Sequence, residues 1–324
     1  MGLPKRVSIL EVGPREGFQM QETPIPTEDK VSFINALNKT GVSSIEVTSF
    51  VSPKWVPQMA DAEDVLAKIE RVQDVTYRAA YLNMRGLERA LANDVTVVGS
   101  LVLSASNTFS MKNMNKTIDD MVETLPGWIE AYQKAGVPVK QMGLMAAFGC
   151  NYEGYIYLDH LINMIDRVSR LAEQHGEKIQ KVRLADTMGW ANPEQMKRTI
   201  FAIKNKWPEL EIGLHLHDTR GLGLTNAYAA LQEGVYEFDA AVAGLGGCPF
   251  AAVKGAPGNI CTEDLAFMCE EQGIETGIDL DALLECAKLA QQIVGDELPG
   301  HLIKGGRLYS KRPHTWMKQQ GSKH

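Results

Sequence analysis

Eight short β-rich runs, each followed by a stretch of helical periodicity, constrain this chain more than any other feature. The runs are RVSILEV (6–12), SSIEVTSF (43–50), VTYRAAYL (75–82), VTVVGSLVLSAS (95–106), VKQMGLMAAF (139–148), KVRLADT (181–187), EIGLHLHD (211–218) and FDAAVAGLG (238–246). Between them lie amphipathic stretches such as TEDKVSFINALNKTG, predicted to start with Thr27 as N-cap and to stop at Gly41. The strands are nearly continuously apolar, which requires cover on both faces. Eight β-then-α units therefore predict a closed (β/α)8 TIM barrel forming one domain over residues 1–300. A doubly wound open sheet is the alternative that the pattern leaves. From His301 the chain becomes basic and Gly-rich, and residues 301–324 are expected to form a loosely held tail.

The formal charge of −7 argues against general binding to nucleic acid or an anionic membrane, while leaving room for a polyanionic small ligand held by a few lysines. Cys150, Cys248, Cys261, Cys269 and Cys286 contain no CxxC pair, so free thiols in a reducing compartment are expected. No signal-peptide anatomy and no run long enough to span a bilayer is present, and the cytoplasm is the expected setting. A homodimer or higher homo-oligomer stays open.

Active sites of such barrels sit at the C-terminal ends of the strands. Polar residues gather there: Arg15, Glu16 and Gln19 after the first strand, Glu46 on the second, Asn83 after the third, Asp186 closing the sixth, His215 and His217 on the seventh. Histidines at i and i+2 of a strand point to the same side. An isolated pair of this kind could be hydrogen-bonded core. With a carboxylate from Glu16 and an amide oxygen from Asn259 within reach of the same mouth, a mixed N/O metal site is expected instead, suited to Mg or Mn, with Co or Zn as alternatives. Cys248 follows the eighth strand in a Gly-rich loop, where a thiol could serve as general acid or base.

The stretches "EVGPREGFQ", "IEVTSFVSPKWVPQM", "FGCNYEG", "LADTMGW", "LHLHDTRG", "VAGLGGCPFA" and "GNICTEDL" together resemble the 3-hydroxy-3-methylglutaryl-CoA lyases, within the DRE-TIM metallolyase group. The resemblance runs in order over roughly residues 6–290. It implies metal-dependent retro-Claisen cleavage of a 3-hydroxyacyl-CoA, as in leucine catabolism. By resemblance Glu16, His215, His217 and Asn259 hold the metal, and His215 also belongs to the catalytic set. Arg15 stabilises the developing enolate oxygen, and Cys248 protonates the acetyl-CoA carbanion. Glu46 and Asp186 orient ligands or relay the proton, while Gln19 contacts substrate. Asn83 joins the substrate-binding set, and CoA phosphates need one or two of Lys54, Arg85, Lys112 and Lys254.

Three features depart from the lyase pattern. Glu16 stands where the family has aspartate, a carboxylate displaced by roughly 1.5 Å. Glu22 stands where lysine is usual, and the segment from Cys248 to Asn259 is two residues longer than the common one. They leave open the relatives citramalyl-CoA and longer-chain glutaryl-CoA as substrates. Condensation of the isopropylmalate or citramalate synthase type is a further alternative. It is disfavoured by Asp218, where those enzymes usually carry asparagine after the histidine pair. A barrel that only binds acyl-CoA is the non-catalytic alternative.

Overall fold

The computed structural model describes residues 2–247 and 256–308. Its eight barrel strands are β1 (Ser8–Glu11), β2 (Ser44–Ser49), β3 (Thr76–Ala80), β4 (Gly99–Ser104), β5 (Val139–Met145), β6 (Lys181–Asp186), β7 (Glu211–Leu216) and β8 (Glu237–Ala240). They pair in parallel in the order β3-β2-β1-β8-β7-β6-β5-β4. At the seam between β3 and β4, Thr96 N–H donates to the Tyr77 carbonyl at 2.7 Å and the Tyr81 hydroxyl donates to the Val98 carbonyl at 3.2 Å. The sheet thus curls into the expected (β/α)8 barrel. A two-stranded hairpin, Gly149–Cys150 against Gly154–Tyr155, stands apart from it.

The covering helices are α1 (Thr27–Leu37), α2 (Ala62–Lys68), α3 (Met84–Ala92), α4 (Asn107–Met114), α5 (Ile118–Lys134), α6 (Leu158–Gln174), α7 (Pro193–Lys206), α8 (Gly223–Gln232), α9 (Thr262–Glu271) and α10 (Leu280–Val294). Each buries one stripe. In α6 the stripe is Leu161, Met164, Ile165, Val168 and Ala172, spaced as one face of a helix demands. Full burial of each large apolar side chain contributes about 1.5–3 kcal/mol. Starts are set locally: Asn192 accepts the Gln195 N–H ahead of Pro193 in α7, and Thr117 with Asp120 forms a capping box on α5.

Two local expectations change. Pro26, not Thr27, is the N-cap of α1; Thr27 is its first residue, and its hydroxyl donates to Asp61 at 2.7 Å. The chain is also fastened beyond residue 300, because Asp264 accepts the backbone N–H groups of His301 (2.8 Å) and Leu302 (2.7 Å) ahead of the short helix Leu302–Gly305. The rest of the expected tail, residues 309–324, lies outside the described residues. No helix among the described residues is long and apolar enough to cross a membrane.

Candidate active site

Three chain segments meet at the C-terminal mouth of the barrel. Directly after β1, Gly13–Gly17 forms a single π-helical turn with Pro14 near its start, and this turn delivers Arg15 and Glu16. Glu11 fixes the turn from below. Its carboxylate accepts the N–H groups of Gly13 (2.8 Å) and Val242 (3.0 Å) and the Thr262 hydroxyl (2.6 Å), so one buried acid ties β1, the exit of β8 and the start of α9 together. Burial pushes Glu11 up to about 7 despite those donors. Beyond β8, Ala243 and Gly244 adopt left-handed conformations, and Glu263 accepts the Ala243 N–H at 3.0 Å.

Gly246 then passes beside the site with φ of +93°. A Cβ there would lie 2.5 Å from Asn259 Nδ2 and 3.2 Å from Glu16 Cγ, so only glycine admits both side chains. Asn259 itself is placed by an antiparallel bridge to His217, the residue just after β7. The Ile260 N–H donates to the Leu216 carbonyl at 3.0 Å, and the Asp218 N–H donates to the Gly258 carbonyl at 2.8 Å.

The result is one compact donor set. His215 Nε2 and His217 Nε2 lie 3.1 Å apart; Glu16 Oε1 is 3.3 Å from His217 Nε2, and Glu16 Oε2 is 3.6 Å from His215 Nε2. Adjacent corners of an octahedron with ~2.1 Å bonds are separated by ~3.0 Å, and of a tetrahedron by ~3.4 Å, so these spacings suit a divalent cation. Asn259 Nδ2 donates to Glu16 Oε1 (3.1 Å) and to the Leu245 carbonyl (3.0 Å), whereas its Oδ1 is buried with no hydrogen-bond partner. An unmet amide oxygen beside two imidazoles and a carboxylate is a further sign that the residues fit a metal. Glu16, carried on the π-helical turn, reaches both rings directly with its carboxylate.

Electrostatics agree. Burial alone would drive the His215 imidazole down, but Glu16 and Asp239 outweigh it and push it up to about 10. The same burial would raise Glu16, yet His215 and Arg15 hold it well below the usual carboxylate range. The pocket therefore favours one extra positive charge between these groups, which a proton or a cation can supply. Arg15 joins the set: its Nε donates to Glu46 and its Nη2 lies 3.2 Å from Glu16 Oε2. Those two acids outweigh the opposing effect of burial and raise the guanidinium above its ordinary value.

Two further residues support the histidine. Asp239 on β8 stands in register with His215 on β7 and accepts from its Nδ1 at 3.1 Å, leaving Nε2 for the donor set. Arg183 on β6 in turn pairs with Asp239. Sequence reasoning passed over both. The available signal was a charge in the middle of an otherwise apolar strand, in FDAAVAG and in KVRLADT.

Of the remaining candidates Asp186 stays beside the donor set, close enough for His217 to act on it, and the others scatter. Asp186 ends β6, buried, with its oxygens accepting the N–H groups of Trp190 (2.7 Å) and Ala191 (3.1 Å); burial raises its pKa against those donors. Gln19 is half-buried just after the π-helical turn. Asn83 caps α3 by accepting the Gly86 N–H. Lys54 lies over the Trp55 ring and Lys112 over the Tyr152 ring, while Arg85 is exposed. Cys248 and Lys254 lie outside the described residues.

Residues 6–290 match the HMGL-like family. The hydroxymethylglutaryl-CoA lyase of Bacillus subtilis is 42% identical over 304 residues, covering 94% of this chain and 98% of the relative. A Pseudomonas aeruginosa 3-hydroxy-3-isohexenylglutaryl-CoA/hydroxy-methylglutaryl-CoA lyase is 39% identical, over 91% of this chain and 95% of the relative. Among solved structures, the Bacillus subtilis HMG-CoA lyase superposes with a TM-score of 0.86 at 40% identity, over 94% of this chain and 99% of that one. An HMG-CoA lyase of Acinetobacter baumannii in complex with coenzyme A and 3-methylmalate gives 0.84 at 40% identity, over 95% and 98%. By sequence over nearly its whole length and by fold, this chain belongs to the HMGL-like family.

Proposed function

We propose that the protein is a divalent-metal-dependent carbon–carbon lyase that cleaves 3-hydroxy-3-methylglutaryl-CoA, or an analogue with a larger 3-substituent, to acetyl-CoA and a 3-oxo acid such as acetoacetate. The observation that carries the proposal is the convergence of Glu16, His215, His217 and Asn259 beside Arg15 at the barrel mouth. Those four residues would hold the metal, with Mg or Mn preferred on the strength of the mixed N/O donors. When bound, the cation would lower the pKa of the substrate C3 hydroxyl and orient the distal carboxylate.

The reaction then asks three things of the chain. The C3 hydroxyl proton must pass to a base as the C2–C3 bond breaks and C3 becomes a ketone; Asp186 and Glu46 are the proposed acceptors. The electron pair of the broken bond moves onto the thioester as an enolate, whose oxygen Arg15 stabilises. Preorganised donors of this kind are worth about 3–4 kcal/mol. Last, the enolate carbon takes a proton from Cys248, giving acetyl-CoA. Glu46 and Glu16 hold the guanidinium of Arg15 in place for the second step.

Coenzyme A in the Acinetobacter baumannii structure supports an acyl-CoA substrate here. Its phosphates would take Lys54, Arg85, Lys112 or Lys254, with Gln19 and Asn83 nearer the acyl group. The Pseudomonas aeruginosa relative supports testing longer 3-substituents. A cytoplasmic setting is supported by Cys150, Cys261, Cys269 and Cys286, all buried free thiols. The test is a panel of 3-hydroxyacyl-CoAs, including citramalyl-CoA, offered to the metal-loaded protein with acetyl-CoA release followed. Cleavage of 3-hydroxy-3-methylglutaryl-CoA or its longer-chain analogue supports the proposal. Cleavage of none of the panel refutes it, and cleavage of citramalyl-CoA alone moves the substrate.

A further inference from the structure

At the opposite end of the barrel the interior is hollow. A cavity of about 250 Å³ lies there, lined from all eight strands or the residues just before them, and Ser8, Ser44, Lys181, Glu211 and Glu237 are each the first residue of their strand. Barrel interiors are ordinarily filled by branched apolar side chains. Here serines, Gln141 and charged groups line the space alongside Leu10, Val98 and Phe238.

Among the residues that line it, four cations, Arg78, Lys140, Lys181 and Arg183, face two carboxylates, Glu211 and Glu237, while Asp239 and Glu46, outside the lining, also act on Arg78. Both carboxylates are already used: Lys181 pairs with Glu237 and, at 3.3 Å, with Glu211, while Arg183 pairs with Asp239 and, at 3.6 Å, with Glu237. Arg78 makes no salt bridge to any described residue, and its Nε is buried without a hydrogen-bond partner. Lys140, exposed at the rim, has no ion-pair partner among the described residues either. Burial and the neighbouring Arg183 lower the pKa of the half-buried Arg78 guanidinium even though Asp239, Glu46 and Glu237 pull the other way, so its charge is incompletely compensated.

We propose that this cavity is a binding site for one small dianionic oxyanion, held by Arg78 and Lys140 at the N-terminal mouth of the barrel, on the far side from the donor set. Planar guanidinium groups recognise phosphate and carboxylate alike through paired N–H donors, so inorganic phosphate and a short dicarboxylate are the two candidates. The inference is independent of the lyase proposal, since it uses none of the residues assigned to cleavage.

Calorimetric titration of the metal-loaded protein, with inorganic phosphate in one arm and succinate in the other, tests it. One equivalent of at least one anion should bind, and which arm responds identifies the source. Arg78→Met should weaken that binding roughly ten- to hundredfold, whereas His217→Ala, at the other end, should leave it in place. If Arg78→Met fails to fold, Arg78→Lys and Lys140→Ala stand in, each expected to weaken binding severalfold. The proposal is overturned if neither anion binds below about 10 mM. It is equally overturned if the Arg78 and Lys140 variants bind like the wild type, or if binding disappears only in His217→Ala.

Discussion

Replacing Asp239 by asparagine isolates what the structure assigns to the carboxylate behind His215. Asp239 is buried, accepts from His215 Nδ1 at 3.1 Å and pairs with Arg183. Asparagine keeps the shape but has one acceptor oxygen for two donors, and its NH2 group confronts whichever donor is left. His215 then loses the partner that fixes its tautomer, and partners of this kind are worth roughly 10–100-fold in metal affinity, or about 1.4–2.7 kcal/mol. Arg183 keeps only Glu237, at 3.6 Å. Breaking a buried pair costs about 3–5 kcal/mol, and the surviving partner puts the expected loss of stability near the lower end. Titration with Mn²⁺ reads the first effect and urea unfolding the second. A double variant, Asp239→Asn with Arg183→Met, should recover stability by removing the stranded charge without recovering metal affinity. Metal affinity within about twofold of wild type in Asp239→Asn would show that the carboxylate only braces Arg183, and the reasoning would fail.

Glu11 offers a pH-dependent counterpart. Its pKa is pushed from 4.5 to about 7 in the folded protein, so the folded state keeps a proton that the unfolded chain releases. The stabilisation is full below the unfolded value and is lost as pH rises through the folded one, a swing of about 3 kcal/mol. Urea melts between about pH 4.5 and pH 7.5 should show Glu11→Gln gaining on wild type by that amount, and parallel curves would contradict it. Cys248→Ala should retain its metal while turnover falls by roughly two to four orders of magnitude, and undiminished turnover would end the proposed role as proton donor.

The barrel was legible because its signal is repeated: eight apolar runs separated by helix-periodic segments admit few topologies. The strand ends were less so. The run read as 238–246 stops at Ala240, since Ala243 and Gly244 turn left-handed and Glu263 holds the turn. Apolar content continues through that turn because it is buried, and burial rather than strand pairing is what the pattern reports. Thr27 looked like a cap by residue type, but its hydroxyl is used by Asp61, a partner distant in sequence.

At the site, the histidine pair, Glu16 and Asn259 carried a local signal or a family resemblance. Asp239 and Arg183 showed only as charges inside apolar runs, because their importance comes from strand register: only the pairing of β8 with β7 puts Asp239 against His215. The reach of Glu16 to both rings was equally hidden, since the π-helical turn that carries it is fixed by Glu11, which meets Val242 and Thr262 from far along the chain.

The central claim is that Glu16, His215 and His217, with Asn259, bind one divalent cation at the barrel mouth. Equilibrium dialysis of chelator-treated protein against Mn²⁺ measures it directly, with His217→Ala as the paired sample. Wild type should take up one equivalent per chain and His217→Ala close to none, while both keep the same helical circular dichroism. Full stoichiometry in His217→Ala, or no uptake by wild type, would contradict the account.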